Sequence, residues 1–151
     1  MDTFWHSFSR EFFQHCDEHC DPLLFASGFS VSLNHKDSDQ AYREYAAGQL
    51  RFTLCYYSNQ FDGTGIRTIA SLRPGPKFEV GSKHEVSVFG LAMRLGISAN
   101  KSSVAEPTHH PNATTLIAAC MEWCDLVRTF GLERIQAELL FAGWGSWVDS
   151  E

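Results

Sequence analysis

The chain of 151 residues carries 12 Lys and Arg against 18 Asp and Glu, a formal net charge of −6, with 44% hydrophobic and 20% charged residues. That hydrophobic content excludes a disordered chain, and the length suits one domain, 1–151, burying about 68 to 70% of its unfolded surface. The start, Met1-Asp2-Thr3-Phe4-Trp5-His6, is acidic where a secretory leader carries positive charge, and no apolar run reaches the roughly 18 residues of a membrane span, so a cytoplasmic, non-membrane protein is expected.

The first element is an amphipathic helix over about Thr3 to Cys20. Phe4, Phe8 and Phe12 recur at spacing four, Trp5 and Cys16 lie close to that stripe, and Asp2 or Thr3 supplies a cap. Asp21-Pro22 is expected to end it, because the residue before proline is steered out of the helical region. From Phe29 to Leu33 apolar residues alternate with serines at the period of a half-buried strand, and the polar run His35 to Gln40 reads as a loop. Gln40 to Ala47 is expected as a short helix closed by Gly48 in a left-handed conformation.

Leu50 to Tyr57 and Ile66 to Leu72 read as two strands of an antiparallel hairpin, joined by a loop that contains Asp62-Gly63. After the turn Arg73-Pro74-Gly75-Pro76, Phe78 to Val80 and Glu85 to Leu95 are expected as strand; Phe89 to Ile97 is apolar enough for a buried helix, with strand the favoured reading. Ser98 to Asn112 is a long polar connection. Leu116, Cys120, Trp123, Val127 and Phe130 then trace a helical stripe ended by Gly131, and Leu132 to Ala142 forms a further helix. The expected class is α+β: an N-terminal helix, an antiparallel meandering sheet of four to five strands, and C-terminal helices.

Five cysteines, an odd number, argue against a closed disulfide framework in a cytoplasmic chain. The densest group of potential ligands is His15-Cys16-Asp17-Glu18-His19-Cys20, where His15 and His19, like Cys16 and Cys20, are one helical turn apart. These four are the candidate zinc ligands, and Cys120 with Cys124 form a second turn-spaced pair. Packing is the alternative, since Cys16 continues the phenylalanine stripe and free cysteine behaves as a small apolar residue. His109 and His110 lie in the long polar loop, and no G-x-S-x-G elbow, H-E-x-x-H or phosphate-cradling glycine loop is present. No catalytic residue is assigned.

Charge divides along the chain. Residues 1–60 hold eight acids and four bases, 61–110 four and six, and 111–151 six and two. The acidic balance weighs against nucleic acid, which needs clustered Lys and Arg. It favours a partner-binding surface on the acidic helical ends, with Glu11, Asp17, Glu18, Glu122, Asp125 and Glu138 as candidates and Trp144 and Trp147 as aromatic anchors.

Phe4-Trp5, Tyr42-Arg43-Glu44-Tyr45 and Gly143-Trp144-Gly145-Ser146-Trp147, set in a small acidic α+β layout, give a chain that resembles the immunity proteins of bacterial polymorphic toxin systems. The resemblance is one of general layout. It implies a cytoplasmic, non-catalytic protein that neutralises a cognate toxin, basic if charge steers the encounter, by occluding its active site. A metal-assisted enzyme built on the His15 to Cys20 cluster and a homodimeric structural or adaptor domain are the alternatives.

Overall fold

The computed structural model describes residues 2–38, 40–59, 63–72, 85–97 and 113–141, with side chains except at 2–8, 58, 59, 63, 64 and 141. In chain order these form α1 (Asp2–His15), a widened helical turn (Cys16–Cys20), α2 (Asp21–Ala26), β1 (Ser30–Lys36), β2 (Gln40–Ala47), β3 (Leu50–Asn59), β4 (Gly63–Leu72), β5 (Glu85–Ser87), α3 (Val88–Arg94), α4 (Ala113–Phe130) and α5 (Leu132–Phe141). The strands make one antiparallel sheet in the order β1-β2-β3-β4-β5, the meander expected of this α+β chain. No helix among the described residues is long and apolar enough to cross a membrane.

The first helix departs from expectation at its end. It was predicted to stop at Asp21-Pro22, and it runs on to Ala26. A proline inside a regular helix removes a donor and drives its ring into the carbonyl four residues back. Here the turn Cys16–Cys20 widens, so that the Asp21 N–H donates to the Cys16 carbonyl, five residues earlier. Pro22 thereby falls in the first turn of α2, where a missing donor does no harm. The expected roles of Phe4, Trp5 and Phe8 and the cap at Asp2 or Thr3 lie outside the described side chains.

Residues 40–47, predicted as a helix, are the strand β2. Ala41, Arg43, Tyr45 and Ala47 alternate onto the face that packs against the helices, while Tyr42 and Glu44 take the reverse face, a period-two pattern that burial between β1 and β3 enforces. Gly48 does adopt a left-handed conformation, φ +62°, but it turns a hairpin in which Ala47 pairs directly with Leu50. The polar run expected as loop from His35 likewise begins two residues too early, since β1 extends to Lys36.

The stretch from Glu85 to Leu95 also splits. Only Glu85–Ser87 is strand; the favoured strand reading of the remainder gives way to α3. Ser87 caps the new helix, its Oγ accepting from the Gly90 N–H at 3.0 Å, and Val88, Leu91, Ala92 and Leu95 then bury at helical spacing. The expectations for Arg73 to Val80, Ser98 to Asn112 and the tail after Phe141 lie outside the described residues.

One apolar cluster joins the described elements. Leu50, Phe52, Leu54 and Tyr56 of β3 and Ile66, Ala70 and Leu72 of β4 form its floor, and Phe12, Cys16, Cys20, Leu24, Leu91, Leu116, Cys120, Trp123, Ile135 and Leu139 cover it. Trp123 stacks on Phe52 with ring centroids 5.1 Å apart and meets Phe29 edge-on at 5.8 Å. Because Phe52 holds the centre of the sheet against Trp123, Phe52→Ala is expected to cost about 3 to 5 kcal/mol in urea unfolding, well beyond the effect of truncating the exposed Met121.

Candidate functional site

A buried ionic cluster ties the first helical segment to the sheet. Arg43 rises from β2 with its side chain only 8% exposed; its Nη1 donates to Asp17 Oδ1 at 2.8 Å and to both carboxylate oxygens of Asp21 at 3.1 Å. Its Nε donates to Asn34 Oδ1 on β1 at 2.7 Å, and the guanidinium lies 5.7 Å from the ring centroid of Phe13. Tyr45, two residues along the strand, donates its hydroxyl to Asp21 Oδ1 at 2.7 Å. Burial alone would lower the Arg43 pKa, but the hydrogen bond to Asp17 and the charge of Asp21 outweigh it and hold the guanidinium charged. On the reverse face, Glu44 is 3% exposed and accepts from Ser32 Oγ at 2.8 Å, with Arg51 Nε 3.5 Å away.

In front of Arg43 an open cleft of about 530 Å³ separates α1 from β1. Ser9, Arg10, Phe13, Gln14 and Asp17 form one wall, and Asn34, His35 and Lys36 form the other. The rise of the helix explains the first set, because positions 10, 13, 14 and 17 share a face. Among the described residues β1 ends the sheet on this side, and all of its residues except Val31 are exposed. His35 Nε2 lies 2.9 Å from Asp37 Oδ2, and its ring stacks on Tyr42 at 4.9 Å. Among the described residues no nucleophile completes this His–Asp pair into a triad.

The proposed zinc ligands divide by face. Cys16 and Cys20 are fully buried and meet Cys120 of α4 in a chain of thiol contacts centred on Cys20. The hydrogen bond to Cys20, then burial, pushes the Cys16 and Cys120 thiols far up, so both stay protonated; the bonds from Cys120 and Cys16 draw Cys20 down. His15 and His19 are half-buried with ring centroids 6.0 Å apart, and Nδ1 of His15 is buried without a hydrogen-bond partner among the described residues. No group of three or more His, Cys, Asp or Glu among the described residues is arranged to hold a metal ion. Cys124 contacts the Leu23 carbonyl at 3.7 Å, and Cys55, on the reverse face of the sheet, is pushed up to about 11 by burial.

The candidate partner-binding carboxylates are largely engaged. Asp17 pairs with Arg43, Asp125 with Arg128, and Glu138 with Arg94 of α3 at 3.3 Å. Glu18 is exposed, whereas Glu11 and Glu122 are half-buried. Trp144, Trp147, His109 and His110 lie outside the described residues. Arg43, Asp21, Tyr45, Asn34, Arg10 and Lys36 had no assigned role; the signal available was a strand motif placing Arg43 and Tyr45 at spacing two, opposite Asp17 and Asp21 at spacing four. The chain matches no family model, no curated protein and no solved structure.

Removing the cation exposes the dependence on Arg43. Arg43→Leu strands the Asp21 carboxylate, whose side chain is 15% exposed, and is expected to cost about 3 to 5 kcal/mol in urea unfolding; adding Asp21→Asn should recover part of that loss. Alkaline pH acts on the phenols. Tyr56 is raised by burial and then by the charge of Glu11 from 10.0 to about 12, and burial, followed by Cys16 and Asp21, raises Tyr45 further. Their stabilisation is full below the unfolded value of 10.0 and falls as pH rises toward 12, so circular dichroism should show stability dropping in that window and a shallower drop for Tyr56→Phe.

Proposed function

We propose that this chain is a non-catalytic binding protein that neutralises a cognate bacterial toxin by occluding the toxin's active site. The observation that carries the binding reading is the exposed edge strand β1 bordering an open cleft. A terminal strand whose outer edge is not paired among the described residues is where a second chain adds to a sheet. The frame behind it is stiff, because the Arg43 cluster fixes the helix and the strand that form the cleft walls. A preformed surface spends little free energy on ordering when it binds.

The toxin as partner comes from the resemblance in layout and from the net charge of −6, which favours encounter with a basic protein. Exposed carboxylates such as Glu18 and Asp125 contribute to that steering at long range even where an ion pair engages them locally. Binding to a second copy of the chain would use the same edge and is separated by sedimentation.

The test is capture of the tagged protein from its native cells, followed by expression of each stoichiometric partner alone and with this chain. A partner that is toxic alone and harmless on coexpression is the expected result. Glu18→Lys combined with Asp125→Lys should slow its association by about 3- to 10-fold and flatten the salt dependence. Partners without toxicity would overturn the toxin reading, and an unchanged on-rate would overturn electrostatic steering.

A further inference from the structure

Four of the five cysteines gather where the first helical segment meets α4. Cys16 and Cys20 stand one turn apart on the widened turn, and Cys120 and Cys124 one turn apart on α4. Cys16, Cys20 and Cys120 are fully buried, and the half-buried Cys124 lies against the Leu23 carbonyl at 3.7 Å. Within this group Cys20 is the hub. It hydrogen-bonds Cys16 within its own turn and Cys120 on the facing helix, so one sulfur has two others in reach. Cys55 is buried as well, but on the reverse face of the sheet, where its Sγ donates to Gln40 Oε1 at 3.3 Å.

Packing calls for small apolar side chains at such a contact; it does not call for three sulfurs touching in series. The series is also not a cage, since no group of three or more ligands among the described residues is arranged to hold a metal ion. The chemistry open to it is two-electron oxidation to a disulfide, which needs a thiolate to attack and a second sulfur to close the bond. Hydrogen bonds from Cys120 and then Cys16 draw the Cys20 thiol down against its burial, which makes it the attacking sulfur. Of its two neighbours, Cys120 is the one that can close. Cβ atoms one turn apart on a helix stand about 5–6 Å from each other, beyond the roughly 3.5–4.5 Å that a disulfide spans. Cys20 and Cys120 meet across two packed elements and carry no such constraint.

From this juxtaposition we infer that Cys20 and Cys120 are the two halves of a reversible disulfide, closed by hydrogen peroxide, that locks the widened turn onto α4. The Cys20 thiolate attacks one oxygen of the peroxide: the S–O bond forms as the O–O bond breaks, and the departing hydroxide takes up the proton that Cys20 had released, giving water. The Cys120 sulfur then attacks the sulfenic sulfur of Cys20; the S–S bond forms, the S–O bond breaks, and the hydroxyl leaves with the Cys120 proton as a second water. The two thiols together lose two electrons, and one peroxide is reduced. A dithiol reductant reopens the bond by exchange. Because the sulfurs are buried, oxidation waits on opening of the seam, and the bond once formed holds the seam shut. The residue after Cys20 is Asp21, which accepts from Arg43 and Tyr45, so the lock also fixes the turn that sets the cleft wall. It acts whatever occupies the cleft.

The full-length protein, first fully reduced, is exposed to hydrogen peroxide; its remaining thiols are then blocked with N-ethylmaleimide in urea and its peptides mapped by mass spectrometry. A peptide pair joined through Cys20 and Cys120, lighter by two hydrogens, is expected, with Cys55 carrying the blocking group. Oxidised protein should unfold at higher urea, its unfolding equilibrium constant at a given urea lowered about tenfold or more, and dithiothreitol should restore the starting curve. Cys120→Ala should abolish this peroxide-dependent shift, whereas Cys16→Ala and Cys55→Ala should keep it. Each variant is compared with its own reduced form, so that a change in starting stability does not enter. Cross-links confined to separate molecules, a bond from Cys20 to Cys16, or sulfinic acid at unlinked cysteines would overturn the pairing. A Cys20–Cys120 bond that leaves the urea curve unmoved would overturn the lock.

Discussion

A single guanidinium determines how the helical and sheet layers meet. Arg43 leaves β2 on the face where its strand neighbours are apolar, and it is tolerated there because Asp17, Asp21 and Asn34 reach it from the widened turn, the start of α2 and β1. Each partner lies on a different element, so the ion cluster sets their mutual registry more than it adds net stability. Hydrophobic contacts between helix and sheet would allow sliding; bonds of fixed direction to two carboxylates and an amide do not.

That registry requires the widened turn. Asp17 and Asp21 are four residues apart and both meet the same Nη1, while the backbone between them carries an i→i−5 bond. The wider turn accommodates Pro22 and keeps the helical direction on to Leu24, which is fully buried. The same turn brings Cys16 and Cys20 onto Cys120 of α4, where small, polarisable thiols fill the space at a close helix approach. One local deviation thus serves the proline, the ionic cluster and the helix contact together. The cleft follows from this arrangement: α1 is held at β1 by Arg43, and the remaining separation is lined with polar side chains.

Legibility differed from element to element for physical reasons. The stripe Leu116, Cys120 and Trp123 buries as its spacing foretold, with Val127 and Phe130 packed against the core, because an amphipathic helix carries its own periodicity. β3 and β4 were equally plain, their β-branched and aromatic residues flanking a turn. Gln40 to Ala47 misled because Ala, Gln, Arg and Glu favour helix locally, and only pairing on both sides with β1 and β3 made it strand. Phe89 to Ile97 misled in the opposite sense: a short apolar run has no decisive period, and the cap from Ser87 set its conformation.

The α+β class, the meander and the core-facing positions of α4 were legible in the residue order, since these depend on patterns local to each segment. Even the candidate ligand cluster was visible as spacing, but which faces its members take was not; burial sent Cys16 and Cys20 into the core and left His15 and His19 toward the periphery. The meeting of Asp17 and Asp21 with Arg43, the position of β1 at the end of the sheet among the described residues, and the placing of Arg10 and Lys36 on opposite walls of one cleft came from the packing of distant segments. Those relations join residues 22 to 26 positions apart, and no local propensity encodes them; they arise when desolvated charges must find partners as the two layers close.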